Sequence, residues 1–447
     1  WEGIKSPQIP LNQLIIYEMH VKGFTMDKTS SVKHKGKFLG VIEKLDYLKD
    51  LGINAIELMP VHEFNENEVL IKSPQTGKKL TNFWGYSTVG FFALHRNYIA
   101  ENPLNDLKNL VKESHKRGIE VILDVVYNHT AEGNEKGPIF NFKILGTDIY
   151  YMTEKGNKFQ NHTGCGNTIN SSHPIVIQYI LDSLRYFVTE FHIDGFRFDL
   201  AASLNRALGG EVSIPSALVE AIARDPVLAN TKMIAEAWDL GSYQVGGFYP
   251  SFLRYSDWNG KYRDTTRSYI KGDPGAKNDF ATRLGGSQDL YHYLKPSASI
   301  NFVTCHDGFT LYDLVSYNQK HNEANGEDNR DGLNENVSWN CGAEGPTDNP
   351  EIEKLRLRQM KNFFTALLVS RGIPMIYMGD EVAHTKKGNN NTWCQDNELN
   401  AFPWYKIEKS PLLPYVKKLI ELRKRKPSLI EDNFFIPEDI AWHGLKA

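Results

Sequence analysis

The chain has 447 residues, 41% hydrophobic and 23% charged, with a formal net charge of −3. These are the proportions of a globular protein with a large core, and the charge excludes the basic footprint of a nucleic-acid or anionic-membrane binder. No apolar run approaches the roughly 20 residues of a membrane helix; the longest, around 363–369, is bounded by Lys361 and Arg371.

In chain order, short apolar runs predict strands at 14–19, 55–59, 121–126, 195–200 and 232–237, then at 252–256, 299–304 and 374–378. Several are continuously apolar, as strands covered on both faces are. Helices are predicted between them. Ile42, Leu45, Leu48 and Leu51 recur at helical spacing before Gly52, a C-cap residue. Ile177, Ile180, Leu181, Leu184, Phe187 and Val188 trace a second stripe, and Leu357, Met360, Phe364, Leu367 and Leu368 a third. Alternating strands and helices predict an α/β fold, a closed (β/α)₈ TIM barrel. Long inserted connections at 61–96, 130–173 and 318–349 all follow strand C-termini, the face on which barrel enzymes build their sites. Loop aromatics such as Phe83-Trp84-Gly85-Tyr86 and Asp257-Trp258-Asn259-Gly260 suit stacking on the apolar faces of sugar rings.

Cys165, Cys305, Cys341 and Cys394 form no CxxC pair, which predicts a reduced intracellular chain without a thiolate metal or disulfide framework. The opening at Trp1 and the apolar stretch before Ala447 read as the cut ends of a longer protein.

Three segments place a carboxylate at a strand's C-terminal end: Asp199 in GFRFD, Glu236 in IAEAW and Asp307 in FVTCHD. One such acid is as well explained by a helix cap or turn. Three together, beside Arg197, Trp238 and His306, point to catalysis. Retaining glycoside hydrolysis needs one ionised and one protonated carboxyl about 5–5.5 Å apart. Arg197, two residues before Asp199 on one strand face, would hold Asp199 ionised. Apolar and aromatic neighbours would favour a neutral, proton-donating Glu236. Asp307 would stabilise positive charge in the transition state, and His129 and His306 would donate to sugar hydroxyls.

Asp124-Val-Val-Tyr-Asn128-His129, Gly195-Phe-Arg197-Phe-Asp199, Glu236 and His306-Asp307 resemble the four ordered regions of the α-amylase superfamily. The resemblance runs from about residue 15 to about 380. It implies Asp199 as nucleophile, Glu236 as acid/base and Asp307 as transition-state stabiliser. Arg197, His129 and His306 would bind substrate, with Asp124 positioning Arg197. Asn82-Phe-Trp-Gly-Tyr86-Ser-Thr88, the run His321–Gly332 with Ser338–Gly345, and Gly388–Asn391 with Trp393–Glu398 are similar to isoamylases and bacterial glycogen debranching enzymes. Tyr86 would be their stacking tyrosine, and Trp238 is expected as an acceptor-side platform. The implied reaction is retaining hydrolysis of α-1,6 branch links in glycogen, amylopectin or limit dextrins. The rivals are an α-1,4 hydrolase or transglycosylase of the same superfamily, and a catalytically silent glucan-binding subunit, which would be expected to have lost a carboxylate. The expected layout is a catalytic barrel over 1–432, with 433–447 opening a truncated C-terminal β-domain and a β-sandwich missing before the barrel. No metal is expected to be required. A structural calcium occurs in some superfamily members near the third-strand loop, where Asn128 would offer a carbonyl oxygen. The compartment implied is the cytoplasm, alternatively a plastid; the oligomeric state is left open.

Overall fold

A computed structural model describes residues 1, 3–248 and 254–441. Eight parallel strands close on themselves in sequence order: β1 (Ile16–Met19), β2 (Ala55–Leu58), β3 (Glu120–Val125), β4 (Gly195–Phe198), β5 (Lys232–Ala235), β6 (Tyr255–Trp258), β7 (Ser299–Asn301) and β8 (Ile373–Tyr377). Around them lie α1 (Leu45–Leu51), α2 (Pro103–Lys116), α3 (Pro174–Phe191), α4 (Ala217–Arg224), α5 (Gly260–Lys271), α6 (Lys277–Leu284), α7 (Pro350–Val369) and α8 (Leu413–Arg425).

The long helices start as their sequences dictate. Asn102, His173 and Asn349 accept hydrogen bonds from the first turns of α2, α3 and α7, and each precedes a proline whose missing N–H costs nothing there. The first apolar stripe breaks into two pieces, 38–42 and α1, and Gly52 (φ 99°) closes α1 with bonds to Leu48 and Lys49. The chain then turns directly into β2, because glycine adopts this left-handed conformation at little cost.

Two expectations are corrected. The strand predicted at 252–256 begins at Tyr255, and Phe252 and Leu253 lie outside the described residues. Ser256 and Asp257 are spent on Ser297 and Gly246, so β6 carries little apolar signal. Strict strand–helix alternation also fails. Among the described residues no helix joins β5 to β6; a two-stranded ribbon, Trp238–Asp239 with Ser242–Tyr243, occupies part of that connection. Residues 433–441 hold a 3-10 turn at Pro437–Asp439, and 442–447 are outside the described residues. Among the described residues no helix is long and apolar enough to cross a membrane.

Inward-facing residues sort by height. At the bottom Lys232 pairs with Glu120 at 2.6 Å. The middle is apolar, with Ile16, Ala55, Ile122, Ile234, Ile300 and Met375. Two residues further along their strands, Ile16, Ala55 and Ile122 give way to Glu18, Glu57 and Asp124, and Arg197 stands beside Asp124 in register. The period-2 pleat thus stacks a charged storey on an apolar one, directly beneath the mouth of the barrel.

Candidate active site

Asp199 and Glu236 are the first residues past β4 and β5. Their backbone N–H groups still bond to the preceding strands, at Val125 O (3.1 Å) and Phe198 O (3.0 Å), so both are held by the barrel rather than by a loop. Arg197, fully buried one pleat below, serves three carboxylates. Its Nη1 donates to both oxygens of Asp124 at 3.0 Å and to Asp199 Oδ1 at 3.2 Å. Its Nη2 lies 2.8 Å from Glu236 Oε2. The guanidinium stacks 4.1 Å above the Trp258 ring. Arg197 is therefore shared among Asp124, Asp199 and Glu236, where the sequence reading set it beside Asp199 and Asp124 and did not see Glu236.

The two carboxyls nevertheless have different surroundings. Asp199 accepts from Arg197 on one oxygen and from the Asn128 amide at 2.8 Å on the other, which is the bonding of an ionised carboxylate. Glu236 takes the Leu200 N–H at 2.7 Å on Oε2. Burial, opposed by Arg197 and reinforced by Asp199, pushes its carboxyl up to about 7. A proton is thus available on Glu236 in neutral solution while its neighbour is charged.

His129 departs from its expected role. Its Nδ1 faces Asn128 Oδ1 and its Nε2 faces the Tyr86 carbonyl at 2.8 Å. Asn128's nitrogen is committed to Asp199, which fixes its oxygen toward the ring. Only an imidazolium can donate on both sides. Burial opposes that charge, but Cys165, Asp199 and the Tyr86 carbonyl outweigh it and push the ring up to about 9. His129 therefore locks Asn128 against Asp199, and its two N–H groups go to protein rather than to a sugar. The Asn128 carbonyl accepts from Ile169 at 2.9 Å, and its side chain is engaged by Asp199 and His129. Among the described residues no three His, Cys, Asp or Glu side chains converge on a metal position.

Tyr86 donates to Asp124, whose carboxyl is raised to about 6 by burial against the pull of Arg197. Its ring stacks on His306 at 4.8 Å with 21° between the planes. Phe83 and Trp84 are buried against Met59, so of that aromatic loop Tyr86 is the half-exposed member. Trp258, expected as a sugar platform, is buried beneath Arg197 instead. Asp307 is exposed, with no side-chain hydrogen bond among the described residues. His306 beside it lines the same cleft.

A cavity of about 480 Å³ opens from Glu236 and Asp307 toward the ribbon, walled by Trp238, Leu240, Tyr243, Arg263 and Leu333. The Trp238 and Tyr243 rings lie 9° from parallel with centroids 6.0 Å apart. The ribbon is anchored by Arg206, which grips both oxygens of Asp239 at 2.7 Å. Sequence reading found Trp238 and missed Tyr243, Arg263 and Leu240. The signal was there in Trp-Asp-Leu-Gly-Ser-Tyr, a two-residue glycine turn that returns Tyr243 to Trp238. Glu18 was also missed, although an acid inside the apolar run of β1 marks an inward polar position.

A closed barrel with these carboxylates at its C-terminal mouth has the architecture of an α-amylase-type catalytic domain, and residues 23–141 match the alpha-amylase catalytic domain. The chain belongs to the α-amylase superfamily, in its isoamylase and glycogen debranching subgroup. It is 49% identical to isoamylase 1, chloroplastic, of Arabidopsis thaliana over 100% of this chain and 60% of that protein. It is 48% identical to the glycogen operon protein GlgX homolog of Mycobacterium tuberculosis (99% and 63% covered). It is 42% identical to the glycogen debranching enzyme of Erwinia tasmaniensis (97% and 66%). Among solved structures it is similar to the pullulanase of Paenibacillus barengoltzii in complex with maltohexaose and α-cyclodextrin: TM-score 0.77, 25% identity, 96% of this chain and 66% of that one. The chain spans about three fifths of the length of the curated isoamylases it matches.

Proposed function

We propose that the chain hydrolyses α-1,6 branch linkages in glycogen, amylopectin or limit dextrins with retention of anomeric configuration. The observation that carries the reaction type is the unequal carboxyl pair on one guanidinium, Asp199 doubly hydrogen-bonded and Glu236 raised to about 7. Glu236 passes its proton to the glycosidic oxygen as the C1–O bond breaks, and Asp199 closes on C1 to give a glycosyl ester. The acceptor chain leaves. Glu236, now a carboxylate, takes a proton from water as the water oxygen attacks C1 and frees Asp199. Asp307, exposed and unpaired, would favour the positive charge on the ring.

Branch-point rather than α-1,4 cleavage is supported by relatives whose names are isoamylase and glycogen debranching enzyme. The walled cavity beyond Glu236 also supports it, because a branched acceptor is bulkier than a linear end. Tyr243→Ala is expected to raise KM for branched glucan roughly five- to tenfold, about 1 kcal/mol of aromatic contact, with kcat nearly unchanged. Initial rates over a range of limit dextrin concentrations check this; an unchanged KM takes the ribbon out of the acceptor site. We place the protein in the cytoplasm, or in a plastid as the names of the chloroplastic relatives support.

The reading is tested by incubation with glycogen and, separately, with a linear α-1,4 glucan, resolving products by length and linkage. Linear chains freed from glycogen with the linear glucan intact support debranching. Shortened linear glucan moves the assignment to an α-1,4-acting relative, and no cleavage of either favours the silent-subunit reading.

A further inference from the structure

His306 reaches the cleft from the loop after β7, yet what holds it comes from β1, 288 residues earlier in the chain. One Glu18 oxygen accepts the His306 backbone N–H at 2.9 Å and the other accepts the ring Nδ1–H at 2.6 Å. Both carboxylate oxygens are thus spent on one residue, and Glu18 itself is 1% exposed. The ring is clamped on its faces and edges too, stacked on Tyr86 and edge-on to Trp84 at 5.0 Å. Nε2 is left as the ring nitrogen without a protein partner among the described residues, on a side chain that lines the cleft.

With this reading of the site as a glycosidase centre as its basis, we propose that Glu18 is a positioning residue for the reaction. It holds His306 by backbone and ring so that an Nε2–H donor is presented to a hydroxyl of the sugar ring being cleaved. The physical reason is the tautomer. A carboxylate on Nδ1 requires a proton there, so a neutral His306 has a bare Nε2 that accepts, and only the imidazolium donates toward substrate. Burial works against that cation, and Glu18 outweighs burial, raising His306 above the usual histidine range.

The neighbourhood explains why Glu18 carries this role. Glu57, its register partner on β2, is completely buried, and neither of its oxygens has a hydrogen-bond partner. Burial, then Glu18 and Asp124, push Glu57 well above the carboxylate range, so it stays neutral and Glu18 is the carboxylate facing the ring. The other charged or titratable groups near the ring are Asp124 on β3, Arg197 on β4, Glu236 after β5, Asp307 beside it, and Tyr86. Lys386 from the loop after β8, Tyr377 on β8 and the Cys305 thiol face Glu18. Of these Arg197 and Lys386 are cationic, and neither hydrogen-bonds Nδ1.

The test is a double-mutant cycle in the full chain: Glu18→Gln, His306→Gln and the pair together. The uncharged isostere leaves an amide NH₂ against one of the two N–H groups. The expected loss in kcat/KM at pH about 7.5 is roughly ten- to a hundredfold, the value of a hydrogen bond to a charged group. That loss should shrink toward pH about 5.5, as acid takes over part of the protonation of His306 that Glu18 otherwise secures against burial. In the His306→Gln background, adding Glu18→Gln should cost less than twofold. Glu57→Gln, a swap of one neutral group for another, should keep kcat/KM within about threefold of the parent. A Glu18→Gln loss that is equal at both pH values, or that persists undiminished without His306, overturns the proposal.

A second readout does not depend on cleavage. Histidine ¹⁵N resonances, assigned with His306→Gln, should show His306 titrating at lower pH in Glu18→Gln than in the parent. If the parent cleaves no glucan but this shift appears, the function reading fails and the Glu18–His306 link stands. If glucan is cleaved and the shift is absent, the link fails alone. Should Glu18→Gln not fold, Glu18→Asp, too short to reach both donors, is expected to show the same direction of shift, and its absence overturns the proposal.

Discussion

Asp199→Asn is expected to lower glycogen cleavage by at least about 10⁴-fold, since members of a catalytic unit act together, and no change of leaving group should restore it. Glu236→Gln is expected to fall about as far on glycogen, whose departing sugar oxygen needs a proton. On a maltosyl fluoride it should keep the first step, because fluoride departs without one. Water then attacks the glycosyl ester without a base, so intact-protein mass spectrometry should find Glu236→Gln carrying one added glycosyl unit. Azide, which needs no deprotonation, should discharge it. A labelled Asp199→Asn, or a Glu236→Gln equally dead on the fluoride, would reverse or remove the assigned roles. The parent's pH profile belongs to the same argument. Glu236 is raised to about 7, and the reaction needs it protonated, so kcat/KM should decline on the alkaline side with a midpoint near that value. A group raised on folding adds stability below its unfolded range and loses that contribution as pH climbs through the folded value. Glu236→Gln should therefore match or exceed the parent's stability at pH 8 while being inactive.

The barrel was legible because strands covered on both faces are mostly apolar, and the runs at β1 to β5 and β8 are broken only by isolated polar residues such as Glu18, Glu57, Asp124 and Arg197. β6 was nearly silent: Ser256 donates to the Ser297 carbonyl and Asp257 accepts from Gly246, contacts that no local pattern encodes. The catalytic acids were legible for a related reason. Asp199 and Glu236 continue the pleat one step past a strand, so sequence period alone aims Arg197 and Asp199 the same way. What joins different strands was not legible. Arg197 reaches Glu236 across the β4–β5 register, Glu18 reaches His306 across the barrel closure, and the two acceptors around His129 arrive from separate turns. Each of these decides a charge state. Residue types could therefore propose who reacts, while the distribution of protons among five carboxyls, two histidines and one arginine required three-dimensional neighbours.

That distribution makes Arg197→Met the most destabilising single change expected inside the barrel. The side chain is fully buried and is the hydrogen-bonded cation for Asp124 and Asp199, with Glu236 in contact. Deleting one partner of a buried charge set costs about 3–5 kcal/mol, because the remaining charges have no solvent to take its place. Activity should fall by at least about 10³-fold, since Asp199 loses one of its two hydrogen-bond donors and its reason to stay ionised beside Glu236. Arg197→Lys should recover part of the stability and little of the rate, as one ammonium cannot span three carboxylates that a planar fork reaches together. The sign of the pH dependence separates this account from simple loss of packing. In the parent, Asp124 and Glu236 are already raised to about 6 and about 7. Without the guanidinium they rise further, while the unfolded chain still titrates near 4. Between those limits the folded variant binds more protons than its unfolded form, so its stability falls as pH increases. Denaturant unfolding should find parent and Arg197→Met closest near pH 4.5 and progressively further apart toward pH 8. A gap of constant size across that range would mean that Arg197 serves the fold through its contact with Trp258 and not through the carboxylates it joins.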